Sequence, residues 1–224
     1  DGETHHGIFD VSFLSAIPNL CIFAPATFES LDRFLRASAD AALPMVIRYP
    51  NMKENDRIKA AFFREESNET VARADFTDPE ENLAVVITYG KIATEALIAA
   101  EKLRAQGVSC GVVLLETLKP YAVVADKVAR LLPKHAAAVV FLEEGIKSGG
   151  AGMLTFDALH KRHGAQMANK LTDILAIDDN FVIPTQSEPI YRTAGVSAND
   201  LLRTLVHLLA KIKKMVLTDS PFSS

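Results

Sequence analysis

From residue 83 onward, short and nearly unbroken apolar runs alternate with longer stretches whose apolar residues recur at helical spacing. Leu83-Ala84-Val85-Val86-Ile87-Thr88 predicts a strand, Tyr89-Gly90 a turn, and Lys91 to Gln106 an Ala-rich helix ended by Gly107. Val108 to Leu115 is the next strand, and Val123 to Leu132 a helix stopped by Pro133. Ala136 to Leu142 is a strand, Gly152 to His163 a helix stopped by Gly164, and Leu171 to Ile177 a further strand. Ala198 to Lys214 closes the series as a helix capped by Ser197 or Asn199. Apolar strands between amphipathic helices require a sheet covered on both faces. The fold class is therefore α/β, in three αβα layers with a mostly parallel sheet.

The N-terminal part repeats the rhythm on a smaller scale. Leu20-Cys21-Ile22-Phe23-Ala24 reads as a buried strand closed by Pro25, and Thr27 is placed to cap the helix carrying Phe28, Leu31, Phe34 and Leu35. Met45-Val46-Ile47 is a second strand, ending in Arg48-Tyr49-Pro50. Strand, helix, strand predicts a parallel βαβ unit. Residues 51–82 are dense in charge and show no sustained period; they read as a linker that touches a surface through Phe62, Phe63 and Phe76. The expected organisation is half a domain over 1–50, the linker over 51–82, a complete domain over 83–215 and a flexible tail over 216–224.

Composition narrows the function classes. The chain has 224 residues, 49% hydrophobic and 23% charged, with a formal net charge of −4. An acidic balance argues against nucleic acid, and the cluster Lys211, Lys213 and Lys214 reads as a solvated last helical turn. No apolar stretch reaches spanning length, so no membrane partner is expected. Cys21 and Cys110 both fall inside predicted strands, which fits free thiols in a reducing, cytoplasmic compartment.

The candidate chemistry begins at the first residue. Asp1-Gly2-Glu3-Thr4-His5-His6-Gly7 is a loop rich in glycine, acid and histidine, with no scaffold before it. The expectation is a chain that starts in the middle of a domain. Adjacent histidines in extended backbone point in opposite directions, which disfavours a two-ligand metal site; no metal ligand is assigned. A lone loop histidine is ordinarily a hydrogen-bonder. Here Gly2 and Gly7 permit close approach of a ligand, and a neutral imidazole can donate to an oxyanion or carry a proton near pH 7. Gly149-Gly150-Ala151-Gly152 follows a strand and opens a helix, the place for a phosphate cradle. It lacks the ending of a P-loop and the spacing of a dinucleotide fingerprint, so close helix–sheet packing is the preferred reading. Of Glu143 and Glu144 just before it, one is expected to face the helix N-terminus and the other solvent.

Several motifs occur in an order that resembles one family. Asp-Gly-x-Thr-His-His-Gly-x-Phe-Asp over residues 1–10 is followed by Ile17-Pro18-Asn19-Leu20, Ala24-Pro25, Ile47-Arg48-Tyr49-Pro50 and Thr88-Tyr89-Gly90. Leu118-Lys119-Pro120, Leu142-Glu143-Glu144, the glycine turn and Phe181-Val182-Ile183-Pro184 complete the series. Together they resemble the 1-deoxy-D-xylulose-5-phosphate synthases, thiamine-diphosphate enzymes of the transketolase superfamily, to about residue 215. The resemblance implies the second half of a pyrimidine-binding domain followed by a transketolase C-terminal domain. It implies that His5 is catalytic, that Asp1, Thr4 and Arg48 line the substrate and cofactor pocket, and that the intact parent uses thiamine diphosphate and Mg²⁺. The cofactor carries the carbanion chemistry and protein groups orient it. A homodimer and the missing N-terminal portion of the parent are the implied partners, with small-molecule substrates.

The same resemblance exposes absences. The family's Gly-Asp-Gly motif with its later Asn, and its cofactor-activating glutamate, have no counterpart here. The chain alone is therefore expected to be inactive and to bind the cofactor weakly or not at all. Where the family typically reads Arg-Tyr-Pro-Arg-Gly, this chain has Asn51, which cannot form a bidentate cationic fork; Arg48 itself reads as a structural arginine at a strand end. Tyr121-Ala122 follows Pro120 where Leu-Asp is usual, and the glycine common after Ile-Pro is missing near Pro184. The alternatives are a part of a split transketolase or other ketol-transferring enzyme, and a non-catalytic dimerisation or regulatory module.

Overall fold

The computed structural model describes residues 7–50, 53–64, 68–76, 83–182 and 190–218. The elements follow in the order α1 (Asp10–Ser15), β1 (Cys21–Phe23), α2 (Phe28–Ala39), β2 (Met45–Ile47), α3 (Asp56–Phe62), β3 (Ala72–Asp75) and β4 (Ala84–Tyr89). A 3₁₀ turn at Gly90–Ile92 leads to α4 (Ala93–Ala105), β5 (Cys110–Leu115), β6 (Thr117–Lys119) and α5 (Tyr121–Leu131). β7 (Ala138–Ile146), α6 (Ala151–Met167), β8 (Leu171–Ile177), α7 (Ile190–Thr193) and α8 (Ala198–Thr218) complete the chain.

The larger sheet has the order β3-β5-β4-β7-β8, parallel except for β3. Its alternating side chains divide between two cores. Val85, Ile87, Val113, Val139 and Phe141 pack with α5 and α6 through Val124, Val128, Phe156 and Leu159. Val86, Val112, Leu114, Val140 and Leu142 pack with α4 and α8 through Leu97, Leu103, Leu201 and Leu205. Every residue of β4, β5 and β7 is buried. This is the three-layer arrangement that the apolar runs predict.

A second sheet joins the two parts of the chain. β1 and β2 pair in parallel across α2, as the strand, helix, strand pattern predicts. The other edge of β1 pairs antiparallel with β6, a strand that leaves the larger sheet just after Glu116. Ala24 donates to the Glu116 carbonyl at 2.8 Å, and the Lys119 ammonium donates to the carbonyls of Ser15 and Ile17. Among the described residues nothing pairs with the outer edge of β2.

Four differences from the sequence pattern have physical reasons. The segment read as a linker contains α3 and β3: Asn55 caps α3 by accepting from the Arg57 and Ile58 amides, and Ile58 and Phe62 are buried in the α4 core. β3 holds the buried Arg73, which donates to Glu116 at 2.9 Å and lies over the Phe63 ring; that pairing lets a charged edge strand form. β7 continues beyond Leu142 through Glu143, Glu144 and Gly145, with a register shift before Ile146 meets Ile177. α6 passes Gly164 to the buried Met167, with non-helical backbone at His163, where Arg162 and His163 both meet Asp126. At the far end α8 continues to Thr218, past the residue where the tail was expected to begin. Its N-terminus is a capping box: the Asp200 amide donates to the Ser197 hydroxyl, and the Ser197 amide to the Asp200 carboxylate.

Candidate functional site

The chain runs from β4 to β5 on one side, then crosses to β7 on the other. The carboxyl ends of β4 and β7 therefore flank a topological switch point, where open α/β sheets place their ligands. Tyr89 ends β4 there, and Glu143 and Glu144 lie on the extended end of β7. The site is formed by what these residues hold in place.

Glu143 is fully buried against the start of α6. Its carboxylate accepts from the Ala151 and Gly152 amides, each at 3.0 Å, and from the Tyr89 hydroxyl at 3.2 Å. The carboxylate thus occupies the anion-binding end of the helix. The glycines make the room: a Cβ on Gly150 would lie 2.3 Å from the Ile146 carbonyl oxygen, and one on Gly152 would lie 2.9 Å from the Phe141 ring. Gly149 takes a positive φ of 68° at the turn. Burial pushes the Glu143 carboxyl up to about 7, although three donors and the nearby Arg48 act in the opposite direction. Burial, then the Glu143 charge, raises the Tyr89 phenol well above its ordinary value. Glu144 does not face solvent as expected; it is nearly buried and pairs with Lys91 at 3.2 Å.

Arg48, one residue beyond β2, connects this cluster to the N-terminal segment. Its Nε lies 3.0 and 3.2 Å from the two Asp10 carboxylate oxygens, its Nη2 donates to the Gly7 carbonyl at 3.3 Å, and its guanidinium lies over the Tyr89 ring. Burial alone would lower the Arg48 guanidinium, but Tyr89, Asp10 and Glu144 outweigh it and raise it. Two further bonds fasten the same segment to the β7–α6 connection. Ile146 donates its amide to the Ile8 carbonyl at 2.8 Å, and the Ser12 hydroxyl donates to the Ser148 carbonyl at 2.9 Å.

Of the sequence-predicted site residues, only Arg48 is among the described ones. Asp1, Thr4 and His5 lie outside the described residues, as does Asn51. In the sequence Tyr89 and Asp10 stand out only as parts of motifs, and Glu143 only as a candidate for the helix N-terminus. The available signal was the acidic pair placed immediately before a glycine turn. Among the described residues no three His, Cys, Asp or Glu side chains stand together as a metal site.

The sequence profile of the transketolase C-terminal domain matches residues 74–201, and that of the transketolase pyrimidine-binding domain matches residues 1–55. A 1-deoxy-D-xylulose-5-phosphate synthase from Clostridium perfringens is 29% identical over 211 residues, covering 93% of this chain and 32% of the relative. The enzyme of that name from Caldanaerobacter subterraneus is 27% identical, covering 92% and 31%. The chain thus spans about a third of the length of these curated relatives. Among solved structures, a split-gene transketolase described as an inactive β4 tetramer aligns with a TM-score of 0.68 at 22% identity, covering 93% of this chain and 64% of that one. Transketolase from Campylobacter jejuni aligns with a TM-score of 0.64 at 16% identity, covering 92% and 29%. These two structures share the fold.

Proposed function

This chain belongs to the transketolase C-terminal domain family, and on that footing we propose that it is the C-terminal part of a 1-deoxy-D-xylulose-5-phosphate synthase-like enzyme. The intact enzyme condenses pyruvate with glyceraldehyde 3-phosphate, releasing CO₂, in the cytoplasm and at the head of non-mevalonate isoprenoid synthesis. One observation carries this reading: relatives bearing that name align along 93% of the chain. Thiamine diphosphate with Mg²⁺, bound mainly by residues outside this chain, supplies carbanion stabilisation.

Within the chain, His5 moves a proton at the reacting oxygen, Asp1 and Thr4 line the pocket, and Arg48 steadies the following segment. The position of that segment supports the assignment. Gly7 follows His5 by two residues and accepts from Arg48, and the next residue, Ile8, accepts from the Ile146 amide at the end of β7. The outer edge of β2, unpaired among the described residues, and the exposed Phe28 and Tyr49 fit a partner surface. The N-terminal portion of the parent is the occupant proposed for the assembled enzyme, and the chain alone should scatter light as a dimer or larger species.

The test is reconstitution. The chain, mixed with an N-terminal partner carrying the cofactor motifs, should release CO₂ from pyruvate when glyceraldehyde 3-phosphate is present. His5→Ala should lower turnover by about 10²-fold or more; unchanged turnover overturns the role of His5. Calorimetry of the chain alone with thiamine diphosphate and Mg²⁺ should show little heat. Asn51 favours a second reading, ketol transfer from a ketose phosphate, and a direct comparison of donors in the assembled enzyme separates the two.

A further inference from the structure

We propose that Glu143 and Tyr89, both in the C-terminal domain, are positioning residues for the segment 7–10, which follows His5 in the chain, and act on it through Arg48. The inference rests on the assignment of His5 above, but its geometry stands independently. The α6 amides of Ala151 and Gly152 fix the Glu143 carboxylate. Glu143 orients the Tyr89 hydroxyl, and the Tyr89 ring lies beneath the Arg48 guanidinium. Arg48 grips Asp10 and the Gly7 carbonyl. The chain of contacts begins at a helix N-terminus and ends two residues from His5 in the sequence, so the C-terminal domain reaches the segment that follows it.

The three donors facing the carboxylate together favour its ionised form. One Glu143 oxygen receives Gly152; the other receives both Ala151 and Tyr89. A proton on the second oxygen forces the Tyr89 hydroxyl to turn from donor to acceptor. It also removes a negative charge that attracts Arg48. The other groups facing this cluster are Asp10 from α1, Tyr121 from α5, and Glu144 with its partner Lys91. Tyr121 is raised by burial first and by the Glu143 charge as well. With the carboxyl near 7, the hold on residues 7–10 weakens as pH falls through neutrality.

The decisive experiment uses the full chain without cofactor. Amide hydrogen exchange at Ile8, Phe9 and Asp10 is measured from pH 6 to pH 8 in wild type, Tyr89→Phe and Glu143→Gln. Tyr89→Phe keeps the ring under Arg48 and removes only the hydroxyl. Protection in wild type should rise with pH through about 7, while both variants should lose roughly tenfold protection at pH 8 and the pH dependence with it. Equal protection in a folded Tyr89→Phe overturns the proposal, and this variant decides alone if Glu143→Gln fails to fold. In the reconstituted enzyme, Tyr89→Phe should lower kcat more than it raises KM and flatten the pH–rate profile near 7. Failure of reconstitution bears on the proposed reaction, whereas failure of the exchange result bears on the positioning role.

Discussion

The two sheets differ in what closes them. In the larger sheet β4, β5 and β7 are buried along their whole length, with helices on both faces. In the smaller one, every residue of β2 is only partly buried and its outer edge has no neighbour among the described residues. Phe28 and Tyr49 beside it are 61% and 62% exposed. The first region is a finished core; the second carries exposed aromatic rings beside an edge that is unpaired among the described residues. Stability should therefore be concentrated in residues 83–218, and the association proposed above should depend on residues 7–50.

The comparison can be broken most directly with aromatic truncation. Phe141→Ala removes a fully buried ring between α6 and the sheet and should cost about 3–5 kcal/mol by denaturant melting. A much smaller loss would mean that the larger core is loosely packed. The next effect is electrostatic. The Glu143 carboxyl is raised in the folded state from 4.5 to about 7. Between those values the folded protein holds a proton that the unfolded chain has released. Stability from this group is therefore complete below pH 4.5 and declines as pH rises to 7, by roughly 3 kcal/mol. Glu143→Gln should abolish that slope in melts run across the window, although replacing one carboxylate oxygen leaves one of the two α6 amides without its acceptor and lowers overall stability. The positioning contacts instead strengthen around pH 7, where the folded carboxyl ionises, because they are local and depend on the charge itself.

Gly150→Ala sharpens the picture around Glu143. Its Cβ would lie 2.3 Å from a backbone oxygen, so a loss of about 1–3 kcal/mol or more is expected in thermal melts. The smallest effect should come from the other sheet. Phe28→Ala should change stability by less than about 0.5 kcal/mol, yet weaken association measured by light scattering. A large loss of stability there would show that the small sheet is a closed core after all.

Local chemistry made much of the fold legible. The unbroken apolar runs became β4, β5, β7 and β8, and Thr27 caps α2 through the Ser30 amide as its position suggested. β3 and β6 were not legible, because each is short and exists through a distant partner: Arg73 with Glu116, and Ile22 with Lys119. The site behaves in the same way. The glycine turn reads as close packing from sequence, and the steric contacts of Gly150 and Gly152 agree. The Tyr89–Glu143 bond joins residues 54 positions apart, and no spacing rule reaches that far.

The route of β6 has a consequence for anyone shortening the protein. A version begun at residue 68 would retain β3 and the whole larger sheet, but β6 would lose β1 and the Lys119 ammonium would lose its carbonyls from Ser15 and Ile17. The boundary between the two halves is a seam sewn from both sides. Cutting it leaves a raw strand on the larger piece, and the trimmed protein should prove less soluble than the longer one despite keeping nearly all of its core.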